Sequence, residues 1–133
     1  MPLLEVRNLR VEFPTRRGTL VAVDDVSFSI DQGEVLGVVG ESGAGKSITG
    51  AAIIRLIEPP GRIAGGQVLL GGRRIDTLPP ERMRTVRGRE IGAIFQDPLT
   101  TLNPLYTIGR QLGETMQTHL GIGEREARAR AIV

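Results

Sequence analysis

The sequence has no cysteine and no tryptophan, a single histidine, and aromatic residues at only 3% of its 133 positions. Without cysteine there can be no disulfide and no thiolate metal site. One histidine, His119, is too few for an ordinary zinc site; within a helix pattern it reads as a helix-surface residue. No apolar run approaches the length needed to cross a bilayer. The opening stretch, MPLLEVRNLR, lacks the basic-then-apolar layout of a signal peptide. The expectation is therefore a chain that is cytosolic or attached to a membrane protein from the cytosolic side. Lysine is also scarce. All but one of the 17 basic side chains are arginine, and the exception is Lys46. The formal net charge of +2 is too small to suggest nucleic-acid binding. Arg82, Arg84, Arg87 and Arg89 lie between Glu81 and Glu90 without aromatic interleaving, which reads as a solvated charged face.

What remains is ordinary globular material, 40% apolar and 24% charged, enough for one moderate core. Loose alternation predicts a strand over 4–13, and Val26, Phe28 and Ile30 against Ser27 and Ser29 predict a half-buried strand within 21–30. The continuous apolar runs at 35–39 (VLGVV) and 91–95 predict two short strands, the first buried on both faces. A helix is expected over 46–57, stopped by Pro59-Pro60-Gly61. A hairpin follows, 67–70 with 73–75 around Gly71-Gly72, then a short helix within 77–87. Residues 99–106 read as an extended loop. Ile108, Leu112, Met116 and Leu120 recur every fourth position and predict an amphipathic helix over 108–120, ended by Gly121. A further helix begins at Glu124.

The chemistry concentrates in GESGAGKS, Gly40 to Ser47, between an expected buried strand and an expected helix. The spacing G-x-x-x-x-G-K-S in that setting is a phosphate-binding loop. Gly40, Gly43 and Gly45 let the backbone curl so that successive N–H groups point inward. The first turn of the following helix adds unpaired N–H groups and a favourable dipole. Lys46 is the one compact cation in a chain that otherwise uses arginine. It would sit on the β- and γ-phosphates, with the Ser47 hydroxyl on Mg²⁺. The rival reading is a glycine-rich turn carrying a solvated lysine.

Two longer stretches, VDDVSFSIDQGEVLGVVGESGAGKS and IGAIFQDPLTTLNPLYTIGRQL, resemble the ATP-binding subunits of ABC transporters. The wording IFQDPLTTLNP and GESGAGKSITGAAIIRLI is most similar to the dipeptide and oligopeptide importer branch. The resemblance implies an α/β P-loop fold: an antiparallel β-subdomain and partial RecA-like core over 1–97, with the start of a helical subdomain over 98–133. It implies ATP with Mg²⁺ bound by Gly40, Glu41, Ser42, Gly43, Ala44, Gly45, Lys46, Ser47 and Ile48. Ile48 replaces a threonine common in the family, so only its backbone N–H would serve. The resemblance also implies Gln96 as the Q-loop glutamine, contacting Mg²⁺ or the attacking water. Phe13 matches the position of adenine stacking, although a strand-end phenylalanine is also an ordinary core residue. The segment Leu99 to Tyr106 would meet a transmembrane permease subunit, or else pack under the next helix.

Further partners implied are a second ATP-binding subunit, identical or not, and, indirectly, a periplasmic or extracellular solute-binding protein. The place implied is the cytoplasmic face of the inner membrane, with no nucleic-acid role. The family's Walker B aspartate and glutamate, its LSGGQ-type signature and its switch histidine have no counterpart in these residues, and Asp97 follows the glutamine rather than ending an apolar run. The chain is thus expected to behave as the first half of such an ATPase, inactive alone and poorly stable, with apolar strand surface uncovered. Rival readings are an ABC-type ATPase of DNA repair or chromosome maintenance, a small-molecule kinase, or a non-catalytic fragment. The proline-containing loop and short helix after Gln96, where repair ATPases usually run into long heptads, favour transport.

Overall fold

A computed structural model describes residues 1–132, apart from the side chain of Pro98. The chain forms two compact units, one over 1–83 and one from Arg84 onwards. The first is a four-stranded antiparallel sheet in the order β2-β1-β3-β4, built from β1 (Leu4–Thr15), β2 (Gly18–Ile30), β3 (Arg62–Leu70) and β4 (Arg73–Arg74), with helix α1 (Lys46–Ile53) against it. Helix α2 (Pro80–Val86) carries the chain from the first unit into the second. The second unit holds a 3-10 turn at Pro98–Thr100 and the paired helices α3 (Ile108–Leu120) and α4 (Glu124–Ala131).

The central strand β1 is not a simple alternator. Val6, Leu9 and Val11 are all buried, a spacing of three and then two. A bulge allows it: Asn8 has φ 49° and the pairing with β2 shifts register between Val6 and Leu9. An extra residue on one strand resets which side chains face inward. Asn8 is held there by its N–H donating to Ser27 Oγ at 2.8 Å and its amide donating to Asp25 Oδ1 at 2.7 Å. Across on β3, Gly66 leaves the room required, since a Cβ there would lie 2.5 Å from the carbonyl oxygens of Arg7 and Asn8. Val23, Ala52, Ile54, Val68, Ile75 and Met83 complete the core of the first unit. Each fully buried aliphatic side chain contributes about 1.5–3 kcal/mol.

Asp76 fastens the end of this sheet. Its Oδ1 accepts the Val68 N–H at 3.0 Å, and its Oδ2 pairs with the Arg74 guanidinium at 2.9 Å. Burial by itself would raise the carboxyl's pKa, but the Arg74 hydrogen bonds and the Val68 N–H outweigh it and hold the group below the usual 3.8. A depressed folded-state pKa means that this stabilisation is present above the ordinary aspartate range and is lost as the pH falls through and below it. Asp76→Asn is expected to cost about 1–2 kcal/mol at neutral pH. It should also flatten the acid limb of stability below about pH 5. Urea unfolding midpoints measured against pH for both proteins check this; parallel curves would remove Asp76 from the acid transition.

Two expected strands do not form. Residues 35–39 and 91–95 carry no strand pairing beyond a single bridge between Arg87 and Ile91. Val35, Val39 and Ile94 are almost wholly exposed. The physical reason is pairing. A strand buried on both faces needs a neighbour along each edge and a layer over each face, and the described residues pair these runs at nothing beyond that one bridge. Elsewhere the differences are at ends. Helix α1 stops at Ile53, four residues short of the expected end, and β3 starts five residues before the expected hairpin. Helix α3 has the expected bounds, with Thr107 capping its start and Gly121 closing it at φ 64°.

In the second unit Ala127 and Val86 are buried. The His119 ring packs against Gly88, where a Cβ would lie 2.8 Å from Nε2. The Arg89 guanidinium donates to the carbonyl of His119.

Candidate functional site

The loop from Gly40 to Ser47 is built by β2 and α1 together. Gly45 caps α1 in the left-handed region, φ 88°, and contributes no side chain to the cap. A Cβ there would sit 2.7 Å from the Ala22 carbonyl oxygen, so glycine is required both for the dihedral and for the close approach of α1 to β2. Thr49 secures the joint, donating through both its N–H (2.9 Å) and its hydroxyl (2.8 Å) to the Gly45 carbonyl. Within the loop the Ala44 N–H closes a turn on the Glu41 carbonyl at 3.1 Å.

Those contacts leave a row of donors unspent. Among the described residues, the N–H groups of Gly43, Gly45, Lys46, Ser47 and Ile48 make no hydrogen bond. The first turn of α1 contains no acidic residue, so nothing competes for its positive end. Lys46 bends back over the loop. Its ammonium donates to the Glu41 carbonyl at 2.8 Å and also to the carbonyl of Gly40. The only ammonium-bearing side chain of the sequence is thus held at the mouth of the loop rather than swung into solvent. An incoming phosphate can replace these two neutral carbonyls with charged oxygens, a stronger pairing.

Ser47, the second residue of α1, is exposed. One neutral oxygen suits Mg²⁺, a hard cation that takes its remaining ligands from phosphate and water. Among the described residues no group of three or more His, Asp or Glu side chains is arranged to hold a metal by itself. Ile48 is half-buried in the first turn of α1. Phe13 is half-buried near the end of β1 opposite Leu20. Its ring edge touches Gly61, where a Cβ would meet Cε1 at 2.4 Å.

Gln96 is exposed in the second unit, after the unpaired run 91–95. Asp97 is used locally: its Oδ1 accepts the Leu99 N–H at 3.1 Å, opening the 3-10 turn. Leu99 and Leu105 are almost wholly exposed, whereas Leu102 and Tyr106 are about half exposed and the Tyr106 ring lies against Arg110 of α3. The residues that shape this loop were not visible in the sequence. Asn103 and Gln111 tie it through side-chain-to-backbone bonds eight positions apart, a spacing that no sequence motif marks.

The family model for ABC transporters matches residues 23–133. The chain belongs to the ABC transporter family. Relatives sharpen the likeness. Over 131 residues, 98% of the chain, it is 50% identical to a Brucella abortus protein provisionally named a peptide import ATP-binding protein. It is 45% identical to the oligopeptide transport ATP-binding protein OppD of Bacillus subtilis, also over 98% of its length. It is 48% identical to the peptidoglycan transport ATP-binding protein YejF of Agrobacterium fabrum. The chain spans 40%, 37% and 24% of those three proteins respectively. Among solved structures, the dimeric structure of a bacterial ABC transporter cassette matches at a TM-score of 0.81 and 23% identity, covering 97% of this chain and 54% of that one. The same cassette in a post-hydrolysis state with ADP and phosphate matches at 0.83. The chain therefore has the fold of part of an ABC ATPase cassette, with the antiparallel sheet formed in the residues described.

Proposed function

We propose that this chain is the nucleotide-binding part of an ABC importer subunit that hydrolyses ATP to drive uptake of peptides or related solutes. The observation that carries the reading is the loop of unspent N–H groups closed over by Lys46, in a chain about half identical to proteins named for peptide import. The loop's N–H groups hold the β- and γ-phosphates, and Lys46 leaves its two carbonyls to pair with them. Ser47 would supply one ligand to Mg²⁺, which would neutralise phosphate charge. Phe13 stacks on the adenine. Gln96 orients the attacking water, a task suited to a neutral amide that both donates and accepts without titrating.

Two such subunits close around nucleotide, and hydrolysis reopens them. The exposed loop from Leu99 to Tyr106 meets the permease. A solute-binding protein delivers cargo from outside, and the subunit works peripherally at the cytoplasmic face of the inner membrane. The domain division expected at 97/98 belongs to this proposal, as do the roles of Glu41, Ser42 and Ala44 in the loop.

The test is uptake by the intact import complex that contains this subunit, reconstituted in vesicles with ATP inside. Labelled di- and oligopeptides should enter only with hydrolysable ATP. Uptake of sugars but not peptides would overturn the solute class, and ATP-independent uptake would overturn the reading as a whole.

A further inference from the structure

The loop offered to the permease carries large apolar side chains on irregular backbone, with Leu99 89% and Leu105 86% exposed. Such a segment should be costly to hold in one shape, because its backbone lies in no helix or strand and its two most exposed leucines gain little from burial. The structure nevertheless gives it a dense set of polar ties, and they converge on one side chain of α3. The Gln111 Oε1 accepts the Asn103 N–H at 2.8 Å. The Gln111 Nε2 donates to the Asn103 carbonyl at 2.9 Å and to the Tyr106 carbonyl at 3.0 Å. Asn103 in turn uses its own Oδ1 to accept the Leu105 N–H at 2.9 Å, and its carbonyl accepts the Tyr106 N–H at 3.2 Å. The Arg110 guanidinium lies 4.0 Å from the centre of the Tyr106 ring, and Thr107 caps α3 by accepting the Arg110 N–H at 3.2 Å.

We infer that Gln111 is a positioning residue for permease engagement, clamping residues 103–106 so that Leu102, Leu105 and Tyr106 are presented in a fixed arrangement before the partner arrives. The inference rests on the reading that this loop meets the permease. Its chemistry needs a carboxamide. One end must accept from an N–H while the other donates to two carbonyls, and no other side chain of that length does both. A glutamate keeps the acceptor but sets an anionic oxygen against the two carbonyls. A methionine keeps the length and a similar helix preference but loses all three bonds. Pre-ordering matters because a loop that must order on contact loses affinity in proportion to the fraction of time it is competent.

The experiment titrates the full-length subunit onto nanodiscs that hold its permease, reading assembly and ATPase rate. Gln111→Met and Gln111→Glu should each raise the half-saturating concentration about tenfold, from the loss of two or more modest hydrogen bonds. The ATPase rate at saturation should be retained, which a general folding defect would not allow. Amide exchange at Asn103 in the free subunit should quicken in both variants, and nucleotide affinity reports that each is folded. Leu105→Asp is the companion variant and should abolish assembly. If Leu105→Asp blocks assembly while both Gln111 variants bind as the parent does, the clamp is overturned. If Leu105→Asp also assembles normally, the permease contact itself falls, and the clamp with it.

Discussion

Lys46→Ala is expected to weaken binding of a slowly hydrolysed ATP analogue by about 100-fold, while leaving the unfolding midpoint of the nucleotide-free protein almost unchanged. The affinity change follows from removing a cation that pairs with two charged phosphate oxygens, each such bond contributing about 1.5–3 kcal/mol. The small stability change follows from what Lys46 does without nucleotide. It donates to the carbonyls of Gly40 and Glu41, both exposed, and water can take its place. AMP, which lacks the β- and γ-phosphates, should lose less than about threefold by the same pairing logic. Lys46→Arg should not restore the parent affinity, because a planar fork cannot follow a path made for a point charge. Isothermal titration of both nucleotides against the three proteins decides the matter. Equal analogue affinity with and without the lysine would remove Lys46 from the phosphate site.

Gly45→Ala should be the most damaging small substitution in the loop. Two costs coincide at this position. An alanine at φ 88° is strained, and its methyl would lie 2.7 Å from the Ala22 carbonyl oxygen, a backbone atom that cannot turn aside. The expected loss is about 2–4 kcal/mol of stability. The affinity loss for the ATP analogue should exceed that of Lys46→Ala, since α1 must tilt from β2 and take its first-turn N–H groups with it. Gly43→Ala is the control. Its φ of 83° imposes the same kind of strain, but nothing lies within 4 Å of the added methyl. It should cost only about 1 kcal/mol. Urea unfolding of the two variants should separate them clearly; equal midpoints would mean that the contact with Ala22 does not hold the loop.

The turn at 40–47 and the helix start after it were legible because their information is local: glycines that turn the chain, a lysine and a serine at fixed offsets, and a helix that starts where they end. Helix α3 was legible for the same reason, a four-residue apolar repeat between a threonine cap and a glycine stop. The runs at 35–39 and 91–95 were not, because apolar composition encodes a demand for burial and says nothing of whether a partner strand is at hand. The bulge at Asn8 was also hidden. It depends on Asp25 and Ser27 across the hairpin and on the missing side chain of Gly66 on the next strand, three positions with no sequence relation to one another. Around Gln96 the sequence pointed to the glutamine and the apolar residues beyond it. The polar side chains that shape the loop, Asn103 and Gln111, act on distant backbone atoms and left no pattern to read.

The central claim is that open backbone donors, covered by one returning ammonium, form the triphosphate site. Hydrogen–deuterium exchange at single-residue resolution, with and without the ATP analogue, tests it most directly. Gly43, Gly45, Lys46, Ser47 and Ile48 should exchange quickly in the free protein and slow together when the analogue is added. An analogue that binds while these five amides stay as fast as before would contradict the claim.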